Sequence, residues 1–253
     1  LLYRLHRWGL IRLNRYDIAP RSLVEARKLD DPYSSHSLIL RRLRQMKLAG
    51  DRVLDLGFGC AAIASALRQD GAILDGIDRD PRAIAESGAL FRHVFQNDLN
   101  RLDDVPLDDK YDLILAADIL QFLVDPADFL SRLKKHLVKG GLLAVALPNV
   151  VNVQTRLRIL FGRFPLHHRG LLEENALHFY TLDSMRRLLV RAGWKVEETD
   201  VTSLPLTLVF PFLRKRRWRL PLWICRGLTR TFKGLFAYQG VLFCKNPNEA
   251  DLL

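Results

Sequence analysis

The chain has 253 residues, with 39 Lys and Arg against 28 Asp and Glu, for a formal net charge of +11. Hydrophobic residues make up 49% of it, enough to bury a sizeable core, which excludes disorder as the default state. Cys60, Cys225 and Cys244 are odd in number and scattered, which excludes a disulfide framework and a zinc-ligand spacing and points to a reducing, cytoplasmic compartment.

The charge is loaded at the two ends. Val201 to Asn248 contains no Asp or Glu but holds Arg214, Lys215, Arg216, Arg217, Arg219 and Lys233 among its cations, and the opening LLYRLHRWGLIRLNRY is also basic and acid-free. Such ends suit an anionic surface, either the inner face of a membrane or a nucleic acid. No apolar run approaches the roughly 20 residues of a spanning helix. LPLTLVFPFL is short and broken by Pro205 and Pro211, and arginines throughout the first segment argue against a secretory signal.

Residues 1–50 read as a basic helical extension. Its last helix, SSHSLILRRLRQMKLAG, carries Leu38, Leu40, Leu43, Met46 and Leu48 and is expected to stop at Gly50. Strand and helix patterns then alternate. RVLDLG, AILDGID, HVFQND, YDLILAAD and LLAVALPN read as strands; CAAIASALRQ, DPRAIAESGALF and DPADFLSRLKKHLVKGG read as helices. This alternation predicts an α/β fold with a parallel sheet covered on both faces. A long insertion spans about 150–180, followed by the helix TLDSMRRLLVRAGW with Thr181 as cap. KVEETDVTS and AYQGVLFCK are two final strands, separated by a basic, aromatic insertion over 203–237. The expected units are therefore 1–50, a core over 51–202, the insertion 203–237, and a last strand with tail over 238–253.

The loop Gly57-x-Gly59-x-x-Ala62 after the first strand, with Asp78 about 20 residues on, fits a dinucleotide fingerprint. Asp55 argues against a dinucleotide. It lies at the mouth of the loop, where a pyrophosphate would meet a like charge in a partly desolvated cleft. A ligand carrying an ammonium and a sulfonium would instead be attracted. Asp55, Asp78 and Asp98 follow the first three strands in order, so one face of the sheet can present all three to a single elongated ligand.

VLDLGFGCA, GIDRDPRAIA, QNDLN and the run YDLILAADILQFLVDPADFLSRLKKHLVKGGLLAVALPN together resemble the motifs of a class I S-adenosylmethionine-dependent methyltransferase over about residues 50–200. PNVVNVQTRLRILFGRF, HFYTLDSMRRLLVRAGW and GLFAYQ are similar to a subgroup associated with glycosyltransferases and surface-polysaccharide genes, with ubiquinone-type O-methyltransferases as more distant relatives. The resemblance implies a Rossmann-like, doubly wound, seven-stranded sheet with an antiparallel last strand, and S-adenosylmethionine as cofactor. It makes Asp55, Gly57, Gly59, Asp78, Asp98 and Gln121 donor-site residues.

Three positions depart from the family pattern. The third loop glycine is Ala61, a substitution expected to fit because only Gly57 and Gly59 need glycine freedom. Gln121-Phe122 stands where relatives carry Glu-His, which weakens a metal-assisted mechanism; no metal site is expected. One of two histidines before the Phe-Tyr-Thr run is absent, leaving His178 as candidate base, with His167 and His168 as a second choice in a solvated loop. Asp78 also has a purely structural role available, capping the helix that Pro81 begins, as Asp55 and Asp98 do in their turns, and Asn149 either faces the acceptor or forms a turn.

The subgroup resemblance implies O-methylation of a glycan, lipid-linked sugar or isoprenoid-type molecule. An RNA methyltransferase, a non-catalytic protein of the same fold and, least favoured, a nicotinamide or flavin oxidoreductase are the rival expectations. The mixture of Phe210, Phe212, Trp218, Trp223 and Phe232 with arginines in 203–237 suits an anionic membrane surface, a helical cap over the sheet edge, or RNA.

Overall fold

The computed structural model describes residues 29, 31, 34–107, 110–164, 166–167, 171–204 and 219–247. The basic opening segment, the Arg214–Arg217 cluster with Trp218, His168 and the C-terminal tail lie outside the described residues.

In chain order the elements are α1 (Ser35–Arg44), β1 (Arg52–Leu56), α2 (Ala62–Gln69), β2 (Ile73–Asp78), α3 (Pro81–Ser87), β3 (His93–Gln96), β4 (Tyr111–Ala117), α4 (Pro126–Leu133) and β5 (Leu137–Pro148). They continue with α5 (Val153–Leu160), α6 (Leu182–Arg191), β6 (Lys195–Val201), α7 (Arg219–Thr231), α8 (Lys233–Phe236) and β7 (Gln239–Lys245). The strands form one seven-stranded sheet in the order β3-β2-β1-β4-β5-β7-β6. Pairings from β3 across to β5 are parallel, and β7 runs antiparallel to both β5 and β6, as expected.

Strand periodicity divides the core in two. Leu54, Ile114, Ala116, Leu143, Val145 and Leu242 bury into one layer with Phe129 and Leu130 of α4 and Met185 and Leu189 of α6. Val53, Leu113, Leu115, Ala144, Val241 and Phe243 face the other layer, under α1, α2 and α3. Both faces are apolar because helices cover both, which is why these strands read as continuous hydrophobic runs. Thr181 does cap α6: its hydroxyl accepts from the Ser184 amide at 3.1 Å while the Ser184 hydroxyl accepts from the Thr181 amide at 2.8 Å.

Two helix boundaries differ from expectation. α1 ends at Arg44, well before Gly50, because Lys47 takes a left-handed φ of 56° that breaks the helix. The helix expected through Gly141 ends at Leu133. A 3₁₀ turn over Lys134–His136 follows, and β5 already begins at buried Leu137. Gly140, at φ 75°, lies within that strand where the β4–β5 register shifts, so the Lys-Gly-Gly signal marks a bulge rather than a helix stop.

Asp75 ties the strand starts together. Its buried carboxylate accepts from Arg92 Nε at 3.0 Å and Nη2 at 2.6 Å, from the Tyr111 hydroxyl at 3.0 Å and from the His93 amide at 3.2 Å. It thereby joins β2 to the starts of β3 and β4. Tyr111→Phe removes one bond to a charged acceptor and is expected to cost about 2 kcal/mol, read as a lower denaturant midpoint at unchanged slope. An unchanged midpoint would contradict this role.

Candidate functional site

The chain leaves β1 in a sharp turn. Gly57 has φ 65°, and its amide donates to the Ile77 carbonyl at 2.7 Å. A Cβ at Gly57 would fall 2.6 Å from Ile119 Cδ1, so the loop presses directly on the segment that follows β4. Gly59, at φ 54°, donates its amide to Asp78 Oδ2 at 2.7 Å. Ala61 is also left-handed, at φ 49°, which corrects the expectation that only the first two loop positions need glycine freedom. Its methyl is tolerated at a conformational cost because Ala61 is buried in the core layer under α1 and α2.

Asp55, Asp78 and Asp98 follow three adjacent strands, but their surroundings differ. Asp55 is only 6% exposed, and among the described residues no hydrogen bond reaches its carboxylate. Burial, and secondarily the Asp78 charge, push its pKa up to about 7. The carboxylate of Asp78 holds the turn: Oδ2 takes the Gly59 amide, and Oδ1 takes the Asp80 amide at 2.9 Å. The capping role offered for Asp78 belongs to Asp80, which accepts from the Arg82 amide at the start of α3. Asp98 Oδ1 accepts from the Asn100 amide at 3.0 Å and its side chain at 2.8 Å, capping the 3₁₀ turn Leu99–Asp104. The structure thus brings Asp55, Asp78, Gly57 and Gly59 together and gives Asp98 turn chemistry at the next strand tip.

The segment after β4 forms the second wall. Asp118 holds φ 56°, its Oδ1 accepts from Gln239 Nε2 at 2.7 Å, and its carbonyl accepts from Gln121 Nε2 at 3.1 Å. The Gln121 carbonyl in turn accepts the amides of Leu177 at 2.8 Å and His178 at 3.1 Å. His178 Nε2 lies 3.3 Å from the Val124 carbonyl. Because a carbonyl only accepts, this contact places a proton on Nε2, and in the neutral imidazole Nδ1 is the nitrogen that accepts. Gln121, Pro148, Glu173, His178, Phe179 and Tyr180 are among the walls of a narrow crevice of about 10 Å³, room for about one water molecule. His167 departs from its expected solvated setting: Arg158 donates to its Nε2 at 3.2 Å, and its backbone bonds to Leu172 and Glu174.

Asp118 and Tyr180 were not singled out by sequence. Asp118 ends a buried strand as Asp55 does, which is a usable signal; nothing in the run HFYT distinguishes a buried phenol from an exposed one.

Residues 28–199 match the family model of a methyltransferase domain. Over 175 residues the chain is 28% identical to a ubiquinone biosynthesis O-methyltransferase of Bradyrhizobium diazoefficiens, covering 65% of this chain and 67% of that protein. A protein of the same name from Nitrobacter winogradskyi is 29% identical over 157 residues, covering 60% and 59% respectively. The chain therefore spans about three fifths to two thirds of the length of these curated relatives. In fold it is similar to a SAM-dependent methyltransferase from Archaeoglobus fulgidus, with a TM-score of 0.56 and 18% identity over 84% of this chain and 95% of that one. It is likewise similar to magnesium protoporphyrin IX methyltransferase from Synechocystis with bound SAH, with a TM-score of 0.57 and 18% identity over 90% and 86%. The glycine turn, the acids at the strand tips and the family match converge: the chain belongs to the class I S-adenosylmethionine-dependent methyltransferase family, with S-adenosylmethionine as its cofactor.

Proposed function

We propose that this protein transfers a methyl group from S-adenosylmethionine to an oxygen of a glycan, lipid-linked sugar or isoprenoid-type molecule. The observation that carries the donor half is Asp55, a buried carboxylate without a protein partner among the described residues, beside a second buried carboxylate. A phosphate-rich ligand would add like charge there, whereas an amino group or sulfonium supplies the missing counter-charge. The residues present therefore fit this cofactor. When bound, S-adenosylmethionine supplies an electrophilic methyl group.

Asp55 supplies negative charge to the cationic end of the donor. Asp78, by fixing Gly59, holds the loop in the shape that receives the donor's polar groups. His178 accepts the acceptor's proton at Nδ1, the nitrogen left free by the Val124 contact. The oxygen acceptor is favoured by the ubiquinone O-methyltransferase relatives and by the subgroup resemblance of the segments around α5 and α6.

An anionic membrane is the proposed source of the acceptor. Among the described residues no helix is long and apolar enough to cross a membrane. The surface at and after α5 nonetheless exposes Leu160 (76%) and Phe161 (74%) among Arg156, Arg158 and Arg163, and α7 exposes Trp223 (69%). Apolar side chains interleaved with cations suit the headgroup region of such a surface.

Calorimetry with S-adenosylmethionine tests the donor site. Asp78→Ala and Asp55→Asn are each expected to weaken binding at least tenfold, equivalent to about 1.4 kcal/mol; unchanged heats would contradict the assignment. Asp55→Asn is also expected to be more stable than the wild type above about pH 7, by up to about 4 kcal/mol. The folded pKa lies above the ordinary value of 3.8, so the ionised wild-type group destabilises the fold as pH rises from about 4 to 7, and the gain from Asn disappears as pH falls through that window. Thermal midpoints at pH 4 and 8 read it directly.

Vesicle co-sedimentation tests the membrane. Phosphatidylglycerol vesicles should pellet the wild type at low salt, and Leu160→Asp with Phe161→Asp should reduce that severalfold. Equal pelleting with phosphatidylcholine vesicles, or by the variant, would contradict it, and a steep salt-dependent affinity for RNA without vesicle binding would favour an RNA acceptor.

A further inference from the structure

The loop between β1 and α2 is built from residues that do not hold a shape by themselves. Gly57 and Gly59 take φ 65° and 54°, and glycine enters either hand of backbone about equally readily. Ala61, at φ 49°, is in a conformation that an L-residue avoids. The shape of the loop is imposed from β2. The Gly57 amide donates to the Ile77 carbonyl at 2.7 Å, and the Gly59 amide donates to Asp78 Oδ2 at 2.7 Å. Phe58, between them, lies on Gly76. Three consecutive loop residues thus grip three consecutive residues of β2.

The middle grip is apolar and tight. A Cβ at Gly76 would fall 2.7 Å from Phe58 Cδ1 and 2.9 Å from both Phe58 Cε1 and Phe91 Cε1, closer than real Cβ atoms come. Gly76 is a strand residue and is not among the left-handed glycines, so the two rings, and not the backbone, require glycine here. The rings of Phe58 and Phe91 lie against each other with centroids 4.5 Å apart and planes inclined by 36°. Both residues are buried. Phe91 is a firm base. The next residue, Arg92, donates its amide to the Leu74 carbonyl at 2.6 Å and its guanidinium to Asp75. Gly76 is also the register partner of Asp55, so the apolar grip is set on the strand pair whose tips carry Asp55 and Asp78.

We propose that Phe58, seated on Gly76 and Phe91, is a positioning residue that holds the glycine loop in its donor-receiving shape before S-adenosylmethionine arrives. Its ring belongs to the core layer under α1, α2 and α3, so it acts through its neighbours. It keeps the Gly59 amide on Asp78 and the Gly57 turn beside the tip of β1. A loop ordered in advance loses little freedom when ligand binds, and the ligand's contacts then appear as affinity. Gly76 is the second positioning residue, because any larger side chain there displaces both rings. The clamp acts on the loop and not on the charge at sulfur, so S-adenosylmethionine and the neutral thioether S-adenosylhomocysteine depend on it alike. This assignment deepens the donor-site reading above and rests on it.

The test combines amide hydrogen exchange by NMR with calorimetry on the full chain, below every melting midpoint. The variants are Phe58→Leu, Gly76→Ala and the two together, with Phe243→Leu as control. Phe243 is buried in the same core layer but on β7, with β4 and β5 between it and β1. Without cofactor, the Gly59 amide should exchange at least about tenfold faster in each loop variant than in the wild type. Phe243→Leu should melt lower yet leave that exchange and both affinities unchanged. Each loop variant should bind S-adenosylmethionine and S-adenosylhomocysteine about fivefold more weakly or worse, by the same factor for both ligands. The double variant should bind within about twofold of the weaker single, because both substitutions break one contact. If Gly76→Ala does not fold, Phe58→Leu decides through the same two readings. Wild-type Gly59 exchange in the loop variants, additive losses in the double, a loss confined to the sulfonium ligand, or equal loosening by Phe243→Leu overturns the clamp. Absence of heat from the wild type with either ligand overturns the donor-site reading itself, whatever the exchange rates, so the two failures are distinguishable.

Discussion

A buried carboxylate with no counter-charge among the described residues is the constraint on which the site depends. Asp55 occupies the tip of β1, where the sheet shields it from water, and it is held there beside a second acid. Isolated burial of an ionised group is costly, and proteins normally pair it or keep it neutral. Here the fold offers no partner among the described residues and instead pushes the pKa up to about 7, so the acid ionises fully only above neutral pH. The sharp exit at Gly57 lets the loop close against Ile119, where any Cβ would collide. The Gly59 amide is spent on Asp78 and does not turn toward Asp55. A cation supplied from outside would balance this carboxylate, which has no partner among the described residues, and that is the property that selects the ligand.

Strand order explains why the segments after β1 and β4 meet. β1 and β4 are neighbours whose following segments touch through Gly57 and Ile119, yet one turns toward α2 and the other toward the crevice walled by Gln121 and His178. The remainder of the sheet supports this meeting point. Asp75 binds the strand starts at the opposite edge, and β7 carries Gln239, whose amide holds Asp118 at the turn after β4. Asn149 and Asn152 both donate to the Ala237 carbonyl, fixing the exit of β5 to the entry of β7. Late residues thereby shape a site whose aspartates all come from the first half of the chain.

Much of this was legible in the sequence because burial on both faces leaves continuous apolar runs, and because capping groups act locally. Thr181 could be read as a cap from its own neighbours. β5 was misjudged at its start because Lys-Gly-Gly carries the composition of a helix end, while the choice between helix stop and bulge depends on pairing with β4. Ala61 in a left-handed turn could not be read from residue type, since an L-residue there is sustained by packing around it. The acids at the strand tips were identifiable from order alone, but their division of labour was not. Which carboxylate keeps the loop, which caps a turn and which remains unpaired follows from distances of about 3 Å set by tertiary structure. Tyr180 is the clearest case, because an unsatisfied phenol exists only after the surrounding chain has closed over it.

The charge state of Asp55 is the most direct probe of this account. Carbon-13 NMR of the aspartate side-chain carboxyls, assigned with Asp55→Asn, would follow its titration with and without S-adenosylmethionine. The account predicts a midpoint of about 7 in the free protein and a carboxylate that stays ionised well below that pH once the cofactor is bound. A midpoint unmoved by saturating cofactor would contradict the claim that this acid receives the donor's positive charge.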